Sequence, residues 1–324
     1  MAFRFLLLLC VFCGLEAPSA ESGPRKFRIA TYNLENYLDA PSAGRPAKST
    51  ASKLKIRESI LAFKPDVLAL QEVGTTNGLL QLQADLKGSG LNFPHWEFVQ
   101  GFDTNIHLAI LSAFPFRGRK PHTRESFLLS GRRFSVSRGF AEVEIEVSPD
   151  YHFTLITAHL KSRRTSTAAD EAEMREQEAT ILRDLISTRL EAKPELNLVV
   201  LGDFNDVKDA RSTRTVLGRG KLGLIDIRPS ERNGDRISSP EHGRDPRTVT
   251  WTHYYGREDT YSRIDYIFLS RGMAAEWEPT ESFVFSAPDW GLASDHRPVV
   301  ATFVVPDRSP RKSKGLPGSG EKRE

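Results

Sequence analysis

Cysteine is almost missing from this chain. Its two copies, Cys10 and Cys13, both lie in an apolar segment at the N-terminus. If that segment is removed, no thiol remains, which excludes disulfides, thiolate metal sites and a cysteine nucleophile. A run of the roughly 20 apolar residues needed to span a bilayer is also lacking. Charge of one sign is not in excess: 45 Lys and Arg stand against 42 Asp and Glu, for a net charge of +3. Much of that surplus comes from Arg308, Arg311, Lys312, Lys314, Lys322 and Arg323 near the C-terminus, so the body of the chain is close to neutral. Charge alone therefore does not argue for a nucleic-acid partner. No internal repeat is present. With 324 residues, 39% hydrophobic and 27% charged, the chain can bury one large core, expected over residues 26–305.

The first 20 residues have the layout of a secretory signal peptide: Arg4, the apolar run Phe5 to Leu15, then Ala17-Pro18-Ser19-Ala20. Export to a periplasm or to the cell exterior is the expectation, with an uncleaved anchor as the alternative. The residues before Cys10 and Cys13 are not the small ones that lipidation would require. Residues 306–324, rich in Pro, Gly, Ser and Lys, read as a disordered basic tail.

Between these ends, apolar strand-like runs repeatedly stop at residues able to hold a cation or move a proton. Phe27 to Tyr32 alternates and ends at Asn33-Leu34-Glu35. Val67 to Leu70 is apolar throughout, as a strand buried on both faces would be, and closes on Gln71-Glu72. Phe153 to Ala158 ends in His159, and Val199 to Leu201 is broken by Gly202 before Asp203-Phe204-Asn205. Arg263-Ile264-Asp265 opens a further strand, and Asp295-His296 precedes the last one, Val299 to Val304. Helices are expected over Lys53 to Phe63, Leu79 to Leu86 and Ala168 to Glu191, the last with an apolar stripe through Ile181, Leu182, Leu185 and Ile186. The glutamates alternating after Ala141 read as a solvent face. A basic loop carrying Arg117, Arg119, Lys120, Arg132 and Arg133 and an irregular stretch from Val207 to Thr248 are the natural places for specificity.

Oxygen donors without cysteine suit Mg²⁺ or Mn²⁺, with Ca²⁺ as a further candidate. Two histidines among several carboxylates supply an acid and a base, and phosphate ester hydrolysis needs those parts together.

The ordered set Thr-Tyr-Asn33-Leu-Glu35, Leu-Gln-Glu72-Val, Ala-His159-Leu-Lys, Gly-Asp203-Phe-Asn205, Arg-Ile-Asp265-Tyr-Ile and Ser-Asp295-His296-Arg-Pro-Val resembles the endonuclease/exonuclease/phosphatase superfamily over Phe27 to Val304. The resemblance implies an α/β (α+β) four-layer sandwich, two stacked, mostly antiparallel β-sheets flanked by helices, with the site at one edge. It implies Glu72 as principal metal ligand with Asn33 and Asp295 near the same ion, and Asp203 and Asn205 positioning the water and the scissile phosphate. His296 would bind that phosphate and exchange a proton, oriented by Asp265. His159 matches the histidine of deoxyribonuclease-like and sphingomyelinase-like members. Glu35 is secondary, and Asp103 is the candidate acidic partner of His159. The implied activity is an exported, metal-dependent phosphodiesterase, nuclease-like, acting on DNA or RNA as a monomer without integral membrane association. A phosphatase or sphingomyelinase acting on lipid or sugar phosphates is the alternative, and a non-catalytic module on the same scaffold is the reading from another class.

Overall fold

The computed structural model describes residues 25–232 and 248–305. The signal peptide expected over 1–20, the tail expected over 306–324 and residues 233–247 of the Val207 to Thr248 stretch lie outside the described residues. In chain order the first half runs β1 (Lys26–Tyr37), α1 (Thr50–Phe63), β2 (Val67–Val73), α2 (Thr76–Gly88), β3 (His95–Val99), β4 (His107–Ser112), β5 (Phe116–His122), β6 (Ser126–Leu129) and β7 (Arg132–Ser135). It continues through β8 (Phe140–Ser148), β9 (Tyr151–His159), α3 (Glu171–Ala192), β10 (Leu198–Asp203), α4 (Arg211–Leu217) and β11 (Ile225–Asp226). The last part holds β12 (His253–Tyr255), β13 (Thr260–Ser262), β14 (Asp265–Leu269), α5 (Arg271–Ala274), β15 (Trp277–Val284) and β16 (Val299–Val304).

Two six-stranded sheets form the centre, in the orders β15-β16-β1-β2-β4-β3 and β11-β14-β10-β9-β8-β5. Each is antiparallel except for one parallel pair at its middle, β1 with β2 and β9 with β10. A parallel pair needs a crossover, which α1 and α3 provide, and it brings the C-terminal ends of both strands to the same edge. Residue alternation then assigns the layers. Phe27, Ile29, Val67 and Ala69 face Val143, Leu155, Val199 and Leu201 in the core between the sheets. Ala30, Tyr32, Leu68 and Leu70 point outward and meet Ile56, Ile60, Leu79 and Leu82 of α1 and α2. Ile156, Ala158, Leu198 and Val200 point outward from the second sheet and meet Leu182, Ile186 and Leu190 of α3. Burial on both faces is why these strands read as continuous apolar runs. The result is the four-layer α/β sandwich.

The helices start and stop for local reasons. Ser49 accepts a hydrogen bond from the Ser52 N–H, which begins α1 three residues earlier than the apolar pattern, and Lys64 closes it in a left-handed conformation. Asp170 caps α3 through the Glu173 N–H, with Glu171 and Glu173 in its first turn. Among the described residues no helix is long and apolar enough to cross a membrane.

Three sequence readings are corrected. The segment expected as a basic loop is strand β5 followed by the β6 and β7 hairpin. Arg117 and Arg119 there face Glu146 and Glu97 across neighbouring strands. Gly202 does not end β10: the strand runs on to Asp203 with Gly202 at φ +135°, and a Cβ there would lie 2.0 Å from the Ala158 carbonyl oxygen. Finally, Glu142 is not on a solvent face. It is buried between His122 and Arg189, because α3 crosses that end of β8.

Candidate active site

The ends of the two central parallel pairs meet at one edge of the sandwich. Asn33 and Glu72 come from the first sheet; His159 and Asp203 come from the second. β14 runs antiparallel to β10 with Asp265 opposite Asp203, so its first residue lies at that edge too. β16 runs antiparallel to β1, which places the preceding Asp295 and His296 there as well. Ser294 ties this segment to β1: its hydroxyl donates to the Asn33 carbonyl at 2.8 Å and accepts from the His296 N–H at 3.0 Å.

Backbone conformation at the edge is unusual. Glu35, Asn36, Glu72 and Asn205 all have φ between 48° and 64° although none is glycine. Such conformations cost of order 1 kcal/mol or more each and persist where the surroundings enforce them. Here the enforcing bonds are visible. Asn36 N–H donates to Glu72 Oε2 at 2.7 Å, and Asn205 N–H donates to Asp203 Oδ1 at 2.8 Å while its side-chain amide donates to the Leu160 carbonyl at 3.0 Å.

Asp203 is the hub. It is 1% exposed, accepts from the Asn33 amide at 2.9 Å, and its Oδ2 lies 3.5 Å from His159 Nε2 and 3.7 Å from His296 Nε2. Glu72 Oε1 is 3.9 Å from the same His159 nitrogen. His296 Nδ1 bonds Asp265 Oδ2 at 2.9 Å, leaving Nε2 facing Asp203 and, at 3.8 Å, Asp295. Asp265 is itself held by its backbone N–H donating to the buried Thr252 hydroxyl.

Burial and charge set the protonation states. Burial raises the Asp203 carboxyl, Asp265 adds to this, and His296 opposes it. His159 is held neutral by burial, reinforced by the positive charge of Arg138. Burial would also lower His296, but Asp265 and Asp203 outweigh it and hold the ring as imidazolium. Asp295 stays low: burial is outweighed by its contact with His253 and the charge of His296.

The ten residues singled out in the sequence divide cleanly. Asn33, Glu72, His159, Asp203, Asn205, Asp265, Asp295 and His296 gather at this edge. Glu35 lies beside it, engaged by Lys48 Nζ at 3.0 Å. Asp103 does not partner His159; it pairs with Arg138 at 3.5 Å, and His159 Nδ1 is buried without a hydrogen-bond partner. Asn33 presents its amide NH₂ to Asp203 and, at 3.4 Å, to Glu72, while its oxygen accepts from the Glu35 N–H. It therefore bridges the two carboxylates instead of turning an oxygen toward them.

Sequence reading missed three contributors. His253 lies 3.7 Å from Asp295 Oδ2, its ring centroid 4.6 Å from that of His296. No motif marks it. Arg175 and Glu178 of α3 brace the loops from inside: Arg175 bonds Asp206 and the Lys161 carbonyl, and Glu178 accepts from Ser137 and the Lys161 N–H. Their signal was present, since both fall on the buried stripe that continues through Ala179, Leu182 and Ile186.

A divalent cation fits this edge. Among the described residues Glu72, mostly buried, has no Lys or Arg partner, Asn36 Oδ1 is a buried acceptor without a donor, and all the candidate carboxylates converge. Among the described residues two groups of ligand atoms lie within 4.8 Å of one another, His253 with Asp295 and His296, and Asp203 with Asp265 and His296. Both include His296, whose charged ring is a poor ligand, so the oxygens around Glu72 suit a hard cation better.

A family model described as the endonuclease/exonuclease/phosphatase family matches residues 30–296. The chain belongs to this family and is a metal-dependent phosphoric ester hydrolase. Its fold is similar to that of the human Nocturnin catalytic domain, at 18% identity and TM-score 0.58 over 86% of this chain and 94% of that one. It is also similar to sphingomyelinase C from Streptomyces griseocarneus, at 16% identity and TM-score 0.54 over 86% and 99%. For truncated TDP2 from Caenorhabditis elegans the values are 14% and 0.56 over 86% and 98%. At these identities the likeness is one of fold. No curated protein sequence matches the chain.

Proposed function

We propose that the chain is an exported phosphodiesterase, nuclease-like in its substrate and dependent on Mg²⁺ or Mn²⁺. The observation that carries this reading is the convergence of Glu72, His159 and Asp203 from three strand ends with His296 from the segment before β16, with contacts of 3.5 to 3.9 Å among them. Glu72 would hold the cation with Asp295 nearby and Asn33 fixing Glu72 against Asp203. When bound, the cation supplies neutralisation of charge on the non-bridging phosphate oxygens.

The protein's own groups divide the proton work. Asp203, made basic by burial, accepts a proton from the attacking water, and Asn205 helps position that water and the phosphate. His296, kept charged and turned by Asp265, presents Nε2–H to the phosphate and the departing oxygen. His159, neutral, adds a hydrogen-bonding ring beside them. Export rests on the signal-like residues 1–20.

The test is hydrolysis of plasmid DNA and of bis-p-nitrophenyl phosphate by the chain from Glu21, with Mg²⁺, with Mn²⁺ and with EDTA. Metal-dependent cleavage of both is expected. Cleavage of the small diester alone would move the substrate to lipid or sugar phosphates, and no cleavage of either would overturn the reading.

A further inference from the structure

Beside His159 runs a groove of about 660 Å³ lined by Arg45, Phe102, Arg138, Lys161, Arg164 and hydroxyl residues of the 162–167 segment. Four cations line it against one acid, Asp103. Three of the four heads have no acidic partner within ion-pair distance among the described residues. Among the described residues Arg45 and Arg164 have no ion pair, and Lys161 Nζ touches only the Ser162 carbonyl at 3.4 Å. Arg138 is 6% exposed and pairs with Asp103 at 3.5 Å, while its Nε makes no hydrogen bond.

The buried Glu178 beneath the groove offsets part of the charge of Arg138 and Lys161 without an ion pair to either. It is taken up by the Ser137 N–H and hydroxyl and the Lys161 N–H, so it fixes both walls by their backbones. Gly101 packs so closely that a Cβ would lie 2.3 Å from the Arg138 carbonyl carbon, which locks that wall from the other side. Like charges gathered on one wall repel one another, and an anion bound among them relieves that repulsion. At the rim stands Phe102, 71% exposed, the most exposed large apolar side chain among the described residues.

We infer that this groove is a subsite for a second phosphate of a nucleic-acid strand, the one neighbouring the scissile linkage, with Phe102 offering a face to the adjoining base. The inference rests on the phosphodiesterase reading above and makes it specific: the preferred substrate is a strand with a charged neighbouring linkage, not an isolated diester. Phosphate capture by several arginines and stacking on an exposed ring are the usual means of holding single strands.

The experiment uses a fluorescent oligonucleotide and two analogues in which one or the other linkage next to the cleaved bond is a neutral methylphosphonate. One analogue should lose about tenfold in kcat/KM, and the other should behave like the parent. Arg164→Ala and Arg45→Ala should lower kcat/KM on the parent about tenfold, abolish its advantage over that analogue, and leave bis-p-nitrophenyl phosphate hydrolysis unchanged. Arg164→Lys should restore part of the loss. In EDTA, anisotropy should show weaker binding by each alanine variant and a salt slope shallower by about 0.7 per lost phosphate contact. Equal rates on parent and both analogues, or alanine variants with native binding and slope, would overturn the subsite and leave the diesterase reading standing. A native enzyme inactive on both the oligonucleotide and bis-p-nitrophenyl phosphate would overturn that reading and the subsite with it.

Discussion

Two buried clusters in this protein pair histidine with carboxylate, and they are built on opposite principles. On the outer face of the second sheet, Glu142 receives His122 at 2.7 Å and Arg189 at 2.6 and 3.0 Å. Glu142 meets an arginine and a histidine, and its carboxyl is pulled down to about 2: burial works against ionisation, but His122 and Arg189 outweigh it. At the sheet edge, Asp203, Asp265, Glu72 and Asp295 outnumber the histidines among them, and His159 Nδ1, Asp265 Oδ1 and Asn36 Oδ1 have no hydrogen-bond partner. Burial there raises Asp203 instead of being overcome. The first cluster is complete and holds α3 to the sheet. The second is left short of positive charge and of partners, which is what a site that must receive a cation and a phosphate requires.

The comparison can be broken most directly by removing one acid from each. Glu72→Ala or His296→Ala should lower phosphodiester hydrolysis by about 10³-fold or more with the fold retained, because each removes a group needed in the transition state. Activity and circular dichroism check this, and a fully active Glu72→Ala protein would reverse the assignment of the two clusters. Glu142→Gln should do the opposite: activity per folded molecule is kept while stability falls by about 3 kcal/mol, since breaking a buried pair strands its partners. Urea melts read that loss.

The same contrast has a pH signature. Glu142 is depressed in the folded protein from an ordinary value of 4.5 to about 2. Its contribution is therefore full above about pH 4.5 and is lost as pH falls toward 2, amounting to about 3 kcal/mol over that window. In Glu142→Gln the acid limb of the stability curve should flatten accordingly. Gly202→Ala, which drives a methyl into the Ala158 carbonyl at a positive φ, should cost about 3 kcal/mol and misplace Asp203, lowering both melting temperature and rate. The smallest expected effect sharpens the comparison further. Mg²⁺ at about 100 times its dissociation constant should stabilise the native protein and Glu142→Gln alike by about 2.7 kcal/mol, and Glu72→Gln by much less.

What could be foreseen in these clusters follows from how each is assembled. Every strand that ends at the active edge carries its polar residue immediately after an apolar run, so Glu72, His159 and Asp203 announce themselves by position. His253 has no such run before it. Glu142 sits in a clean alternation with Glu144 and Glu146, which predicts one shared face, and that much holds. Whether the face is wet depends on Arg189, 47 residues later on a helix that covers only one end of it. Lys48 meets Glu35, and Arg138 meets Asp103 and the Leu160 carbonyl, through loops with no periodic signal.

By itself the sequence determined the layers and the chemistry. Continuous apolar runs require strands buried on both faces, helical stripes supply the covers, and strand-end oxygens and imidazoles with both cysteines confined to positions 10 and 13 point to hard-cation, acid and base chemistry. Only the tertiary structure decided which charges are neutralised. The parallel pairs bring Asn33, Glu72, His159 and Asp203 to one edge where acids outnumber cations, while α3 delivers Arg189 to Glu142. Local pattern reports how a residue is buried along its own strand; its charge balance is set by neighbours that chain crossovers bring from tens or hundreds of residues away.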